Sequence, residues 1–158
     1  MTVPEGPEVR DYGGWLPPRF LALAVATMIV LHVGLPGPVL LAGPVRLLAV
    51  LPIAAALWLL IGSAGRFARL GTAIRSDGEP SLLVADGAFR FSRNPMYLGM
   101  LVLTGGLALA LGTTTPWLVL PAFWALLRFR FVAYEEQMLA ARFPEAWEAY
   151  RRRVRRWL

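Results

Sequence analysis

Cysteine is absent from this chain of 158 residues, which excludes disulfides, thiolate metal sites and a cysteine nucleophile. Lysine is absent too: all 16 basic residues are arginine. In a chain rich in glycine, alanine, leucine and proline, that pattern reflects a GC-rich coding bias and says little about function. Histidine is nearly absent. The single one, His32, lies in an apolar run with no carboxylate near it in sequence. One imidazole cannot build a metal cage, so no metal site is expected. His32 reads as a helix-packing or interfacial residue, since a functional histidine inside a membrane needs a partner.

What the chain has in excess is apolar surface. Hydrophobic residues make up 57% of it and the mean hydropathy is +0.56, against about 45–50% apolar in soluble domains. The excess collects into four runs: Phe20–Leu35; Val45–Gly65 with Pro52 as an expected kink; Met96–Leu111, opened by Pro95; and a run from Trp117 through Pro121 to Leu127. The expected fold is therefore all-α: one polytopic membrane domain over residues 1–158, a bundle of about four transmembrane helices followed by an amphipathic interfacial helix. Residues 1–65 hold the first two helices and 66–158 the remainder. Runs one, three and four are short for a hydrocarbon core of about 30 Å, so flanking residues must contribute or the bilayer must thin.

The net charge of +6 suits anionic lipid headgroups better than nucleic acid, because the arginines flank the apolar runs. Placing both termini in the cytoplasm puts 15 of the 16 arginines on that side and leaves Arg46 outside. A prokaryotic inner or cell membrane is the expected location. The N-terminal stretch, with Glu5, Glu8 and Asp11 ahead of Arg19, does not read as a signal peptide, so the first run is expected to be retained. The short link Gly112–Pro116 allows only a tight hairpin, so helices three and four are antiparallel neighbours. Beyond Glu135, residues Met138, Leu139, Phe143, Trp147, Tyr150, Val154 and Trp157 recur at roughly helical spacing, interrupted or restarted at Pro144. The block Arg151–Arg156 reads as a headgroup anchor, Trp15, Trp117 and Trp157 as an interfacial belt, and the loop around Arg75–Ser81 as a flexible segment.

Two polar clusters stand at the inner ends of helices three and four. The first is Arg93, Asn94 and Tyr97; the second is Arg128, Arg130, Tyr134, Glu135 and Glu136. Arg93 and Asn94 can grip an anion at a helix N-terminus, where unpaired backbone N–H groups add to the field. Tyr97 lies one turn in. Gly99 and Gly106, seven residues apart, share a face. Adjacent carboxylates on a helix point about 100° apart, so Glu135 and Glu136 cannot both face one pocket squarely. Plainer roles stay open for each: topology anchor for Arg93, helix cap for Asn94-Pro95, packing for the glycines, and a solvated helix end for the glutamates.

The run Gly87-x-x-Arg90-x-x-Arg93-Asn94-Pro95-Met96-Tyr97-Leu98-Gly99 resembles the signature of the isoprenylcysteine carboxyl methyltransferase and phospholipid methyltransferase superfamily. Glu135-Glu136 with Leu139, Phe143, Tyr150 and Arg153 resembles that superfamily's C-terminal motif. The likeness covers about residues 65–156. It implies an integral membrane methyltransferase that draws S-adenosyl-L-methionine from the cytoplasm and a lipid or other lipophilic acceptor from the bilayer. Carried over, Arg93, Asn94, Pro95, Tyr97, Gly99, Glu135 and Glu136 would hold the cofactor. Glu135 and Arg130 are the candidate catalytic residues. Asn94 stands where the prenylcysteine enzymes usually have histidine, and Phe131 stands where some of them have an arginine. Both differences point away from a prenylcysteine carboxylate. The acceptor atom, whether in a carboxylate, thiol or amine, stays open. The competing readings are a non-catalytic tetraspan adaptor and a small transporter. Coupled transport sits poorly with apolar runs that contain no acidic residue.

Overall fold

The computed structural model describes residues 16–70 and 82–158. Trp15, Arg10, the N-terminal acidic residues and the expected flexible loop at Arg75–Ser81 lie outside the described residues. Helix α1 spans Pro17–Gly34, with Pro17 and Pro18 in its first turn, where a missing N–H costs nothing. A 3-10 segment, Gly43–Ala49, leads into α2, Val50–Leu70. Pro52 falls just past the point where the 3-10 segment becomes α-helix. Helix α3 spans Pro95–Leu111 with Pro95 at its first position. A 3-10 turn, Thr115–Leu118, opens α4, Val119–Leu126. A π-helical segment, Leu127–Val132, joins α4 to α5, Ala133–Arg142, and α6 spans Pro144–Arg153.

Of the three apolar runs expected to be short, the first and fourth are extended by their flanks, whereas the third, Pro95–Leu111, is not, so among the described residues three helices rather than four reach spanning length. The stretches Pro17–Gly34, Gly43–Leu70 and Thr115–Arg142 are each long and apolar enough to cross a bilayer, the last two at 28 residues. Only 17% of the α1 and α2 windows is buried within the protein, so Ile29, Val30, Val33, Leu51, Trp58 and Ile61 face outward as a lipid-facing surface would. Helix α3, with 17 residues, rises about 25 Å and is the most enclosed. The fold is a membrane helical bundle, as its composition demands.

The main packing in the bundle is α2 against α3. It rests on small residues. A Cβ on Gly99 would meet the Ala56 carbonyl at 3.2 Å and Leu60 at 3.0 Å, and one on Gly106 would meet Ile53 at 2.8 Å. Both glycines thus serve close helix approach, the driving geometry where lipid removes the hydrophobic incentive to associate. A second contact zone gathers Tyr97, Met100, Phe123, Leu127, Phe131, Val132, Tyr134 and Met138 from α3, α4, the π-helical segment and α5, with Phe20 of α1 edge-on to Phe131.

The α3–α4 link is the tight hairpin its length predicts. Gly112 ends α3 at φ +72, a left-handed conformation that glycine adopts without penalty. The loop after α1 clamps this turn: Leu40 and Leu41 N–H groups donate to the Gly112 carbonyl, and Thr114 N–H donates to the Pro38 carbonyl. His32 Nδ1 lies 2.8 Å from Thr113 Oγ1, so its partner is a threonine hydroxyl brought in from 81 residues away. Its role here is to tie α1 to the hairpin.

Two expectations about the tail are refined. The segment beginning at Glu135 continues the fourth span rather than starting a separate surface helix, because the π-helical segment carries the chain through Arg128 and Arg130 without a break. The interruption falls at Phe143, and Pro144 restarts the helix at its first position. Helix α6 folds back: Trp147 and Tyr150 are buried with Val154 against Leu83, Ala85 and Leu139. Trp157 is packed against the main cluster rather than standing free in a belt.

Candidate functional site

The loop before α3 is held rigidly. Arg66 near the end of α2 makes a bidentate ion pair with Asp86, its Nε donating at 2.7 Å to Oδ1. Gly87, at φ +58, opens a short 3-10 turn to Arg90 that buries Phe89 edge-on to Phe67, with centroids 5.4 Å apart. The Tyr150 hydroxyl of α6 donates to the Phe89 carbonyl at 2.7 Å. Burial pushes the Tyr150 phenol up to about 12. These contacts fix where Ser92, Arg93 and Asn94 emerge.

At that point the two polar clusters meet. Asn94 precedes α3 but its side chain does not cap the helix. Its Nδ2 donates instead to Glu136 Oε1 at 3.3 Å and to the Arg156 carbonyl at 3.1 Å. The Arg93 guanidinium lies 3.6 Å from the same Glu136 oxygen and 5.4 Å over the Trp147 ring. Arg156 Nε and Nη2 donate to Glu136 Oε2 at 3.0 and 2.5 Å. Glu136 is thus a buried carboxylate between two guanidiniums, its side chain 10% exposed. Its hydrogen bond holds the Arg156 guanidinium protonated still more firmly than usual.

Glu135 goes elsewhere. It accepts from the Tyr97 hydroxyl at 2.5 Å, and the Tyr97 ring stacks on Phe131 at 6.3 Å between centroids. The adjacent carboxylates have therefore separated, as a helical turn of about 100° requires. Glu136 faces a polar cavity of about 280 Å³ between α5, α6 and the tail, lined by Arg93, Glu136, Gln137, Trp147, Arg151 and Arg156. Glu135 faces the aromatic cluster of the bundle. The π-helical segment lies just upstream. Such segments recur at functional sites because the wider turn re-aims the side chains beyond it.

Of the residues singled out from sequence, Arg93, Asn94, Tyr97, Glu135 and Glu136 come together at one end of the bundle. Pro95 is buried at the start of α3. Gly99 points instead to α2, against Ala56 and Leu60, away from the cavity lining. Arg130 is solvent-exposed on the π-helical segment, and its neighbour Arg128 stacks on Trp124 and Phe129 at 5.4 and 5.5 Å. Two residues of the cluster carry no such signal in the sequence. Trp147 stands there as one member of an amphipathic stripe. Arg156 is one of five arginines in a six-residue block, with nothing in the local pattern to distinguish it.

The donor set suits a zwitterionic ligand bearing both an anion and hydrogen-bond donors. Arg93 lines the cleft, and its buried Nε has no hydrogen-bond partner among the described residues. Glu136 already accepts from Arg156 on Oε2 and faces Asn94 and Arg93 with Oε1, so a ligand amine or hydroxyl would share Oε1 with them. At about 280 Å³ the cavity is a cleft open to solvent, just below the roughly 300–1,000 Å³ common for ligand sites. No curated protein and no solved structure matches the chain. The family model for phospholipid methyltransferases matches residues 45–146, which is 102 of the 158 residues. That stretch runs from the 3-10 segment before α2 into the first turn of α6. It includes both polar clusters, and by this match over more than half of its length the chain belongs to the phospholipid methyltransferase family.

Proposed function

We propose that this protein transfers a methyl group from S-adenosyl-L-methionine to a lipophilic acceptor that reaches the site from the bilayer. The observation that carries the reading is the separation of the glutamate pair at the α3 N-terminus, one carboxylate toward a polar cavity and the other toward the apolar bundle. The arginine-rich end then faces the cytoplasm, as the charge distribution favours.

Arg93, with its unpaired buried Nε, would hold the carboxylate of the cofactor's methionine part, assisted by Asn94. Glu136 would accept from its amino group or ribose hydroxyls. Pro95 and Gly99 act at one remove, setting the position of α3 against α2. When bound, the cofactor supplies an electrophilic methyl group on a sulfonium. Tyr97 and Glu135 stand on the other side of the helix turn, where an acceptor headgroup would lie with its acyl part along the aromatic cluster. If the acceptor is an amine, Glu135 can take its proton, and Tyr97 orients that carboxylate. A carboxylate or thiolate acceptor needs no base. In either case the chain contributes mainly alignment and exclusion of water, which can carry much of the rate of a displacement. Arg130, the other candidate catalytic residue, is exposed on the π-helical segment and would meet an acceptor's phosphate at the membrane surface.

The test is binding of S-adenosylhomocysteine to purified protein in detergent, and transfer of labelled methyl groups from S-adenosylmethionine to extracted lipids. Wild type is expected to bind and label; Arg93→Ala and Glu136→Ala are expected to lose binding. Failure of wild type to bind either nucleotide ends this reading.

A further inference from the structure

The last five residues, Val154–Leu158, lie outside the matched family region, and the sequence reads Arg155 and Arg156 as headgroup anchor and Val154 and Trp157 as an amphipathic stripe. In the structure they form a strap across the start of α3. The Arg155 carbonyl accepts from Arg93 N–H at 2.9 Å. The Arg156 carbonyl accepts from Asn94 Nδ2 at 3.1 Å and from Ser92 Oγ at 3.3 Å. On one side Val154 is buried with Trp147 and Tyr150; on the other Trp157 packs against the main cluster. Arg156 is therefore pinned between two apolar anchors, unlike a surface arginine. Its neighbours behave differently: Arg151 and Arg152 pair with Glu148 on the outer face of α6, and Arg155 is exposed.

We propose that the strap completes the site and that Arg156 is its positioning residue. The inference rests on the reading of Glu136 and Asn94 as cofactor-holding groups. A glutamate side chain has three rotatable bonds, so a lone carboxylate would sample several orientations. Two charge-assisted bonds from Arg156 to Oε2 fix that oxygen and leave Oε1 toward Arg93 and Asn94. The Arg156 carbonyl also fixes which way the Asn94 amide points. One residue thus orients both polar groups, through its side chain and its backbone, in the way that supporting contacts make a binding constellation accurate.

Arg155 supplies a matched control, because Arg155→Gln removes the same charge from the same segment without touching Glu136. Full-length protein in detergent is titrated with S-adenosylhomocysteine by calorimetry, with melting temperatures measured in parallel. Arg156→Gln is expected to weaken binding at least tenfold and Arg155→Gln less than twofold. Arg156→Lys, which keeps the charge and loses the fork, is expected to fall between them. A role in lipid anchoring alone predicts that the two glutamine variants lose affinity for anionic vesicles equally and bind the nucleotide as wild type does; that result overturns the proposal while leaving the methyltransferase reading intact. Absence of nucleotide binding by wild type refutes both. Should Arg156→Gln fail to fold, Arg156→Lys decides: several-fold weaker binding upholds the proposal, unchanged binding ends it.

Discussion

Glu135 and Glu136 are adjacent in sequence and chemically identical, yet the structure demands opposite consequences when each is changed to glutamine. Glu136→Gln keeps the shape but removes the charge facing Arg93 and Arg156, whose side chains are 14% and 33% exposed. Breaking a buried pair from one side costs about 3–5 kcal/mol. Arg156 is one-third exposed, so solvent screens part of its share, and about 2–4 kcal/mol remains. For a chain of this size that is on the order of 5–10 °C in melting temperature. Glu135→Gln is different. A glutamine oxygen can still accept from the Tyr97 hydroxyl, so that bond loses only its charge assistance, about 1 kcal/mol or less. Under the proposed reading this variant binds S-adenosylhomocysteine as wild type does but turns over an amine acceptor roughly 100-fold more slowly, the range for loss of a general base. The assays are a melting scan and nucleotide titration for both variants, with methyl transfer for Glu135→Gln. If Glu136→Gln melted with wild type, or Glu135→Gln lost nucleotide binding, the assignment of the two carboxylates to different neighbours would be wrong.

Single contacts elsewhere carry their own consequences. Gly112→Ala is expected to destabilise by about 2–4 kcal/mol, because the left-handed backbone costs a β-carbon about 1–2 kcal/mol and that carbon would meet the Leu41 carbonyl at 2.6 Å; since the hairpin is at the opposite end of α3 from the cavity, nucleotide affinity of the folded protein should not change, and calorimetry checks this. Tyr150→Phe leaves the Phe89 carbonyl without its donor and should cost about 1–3 kcal/mol in a melting scan. The same tyrosine governs alkaline behaviour. Its folded value of about 12 lies above the ordinary value of 10, so its contribution is fully present below pH 10 and is lost as pH rises from 10 to 12. The melting temperature of Tyr150→Phe should therefore fall less steeply over that interval than that of wild type. His32→Ala removes the bond to Thr113 and should lower stability by about 1 kcal/mol while leaving labelled methyl transfer unaltered; a large drop in transfer would assign His32 a part in the chemistry.

Much is legible in the chain alone because membrane insertion is decided by composition over about 20 residues, and hydropathy counts composition directly. The helical class, the tight hairpin at Gly112–Pro116, the restart at Pro144 and the meeting of Arg93 and Asn94 with Glu136 all stem from local rules or from one short connection. Periodicity could not show the π-helical segment, since Leu127–Val132 is as apolar as an ordinary helical turn apart from Arg128 and Arg130. Nor could it choose between packing and ligand roles for Gly99: the answer depended on Ala56 and Leu60, some 40 residues away. The strap is least visible of all. Five arginines in one block carry the same charge, and only long-range bonds to Glu136 and from Asn94 separate Arg156 from the rest. Sequence alone determined that this protein lies in a bilayer and which residue types crowd one end of its bundle, because partitioning and topology depend on sums over the chain. Which carboxylate faces the cavity, which glycine packs and which arginine orients were decided by tertiary structure, because each depends on a direction in space that only the packed neighbours define.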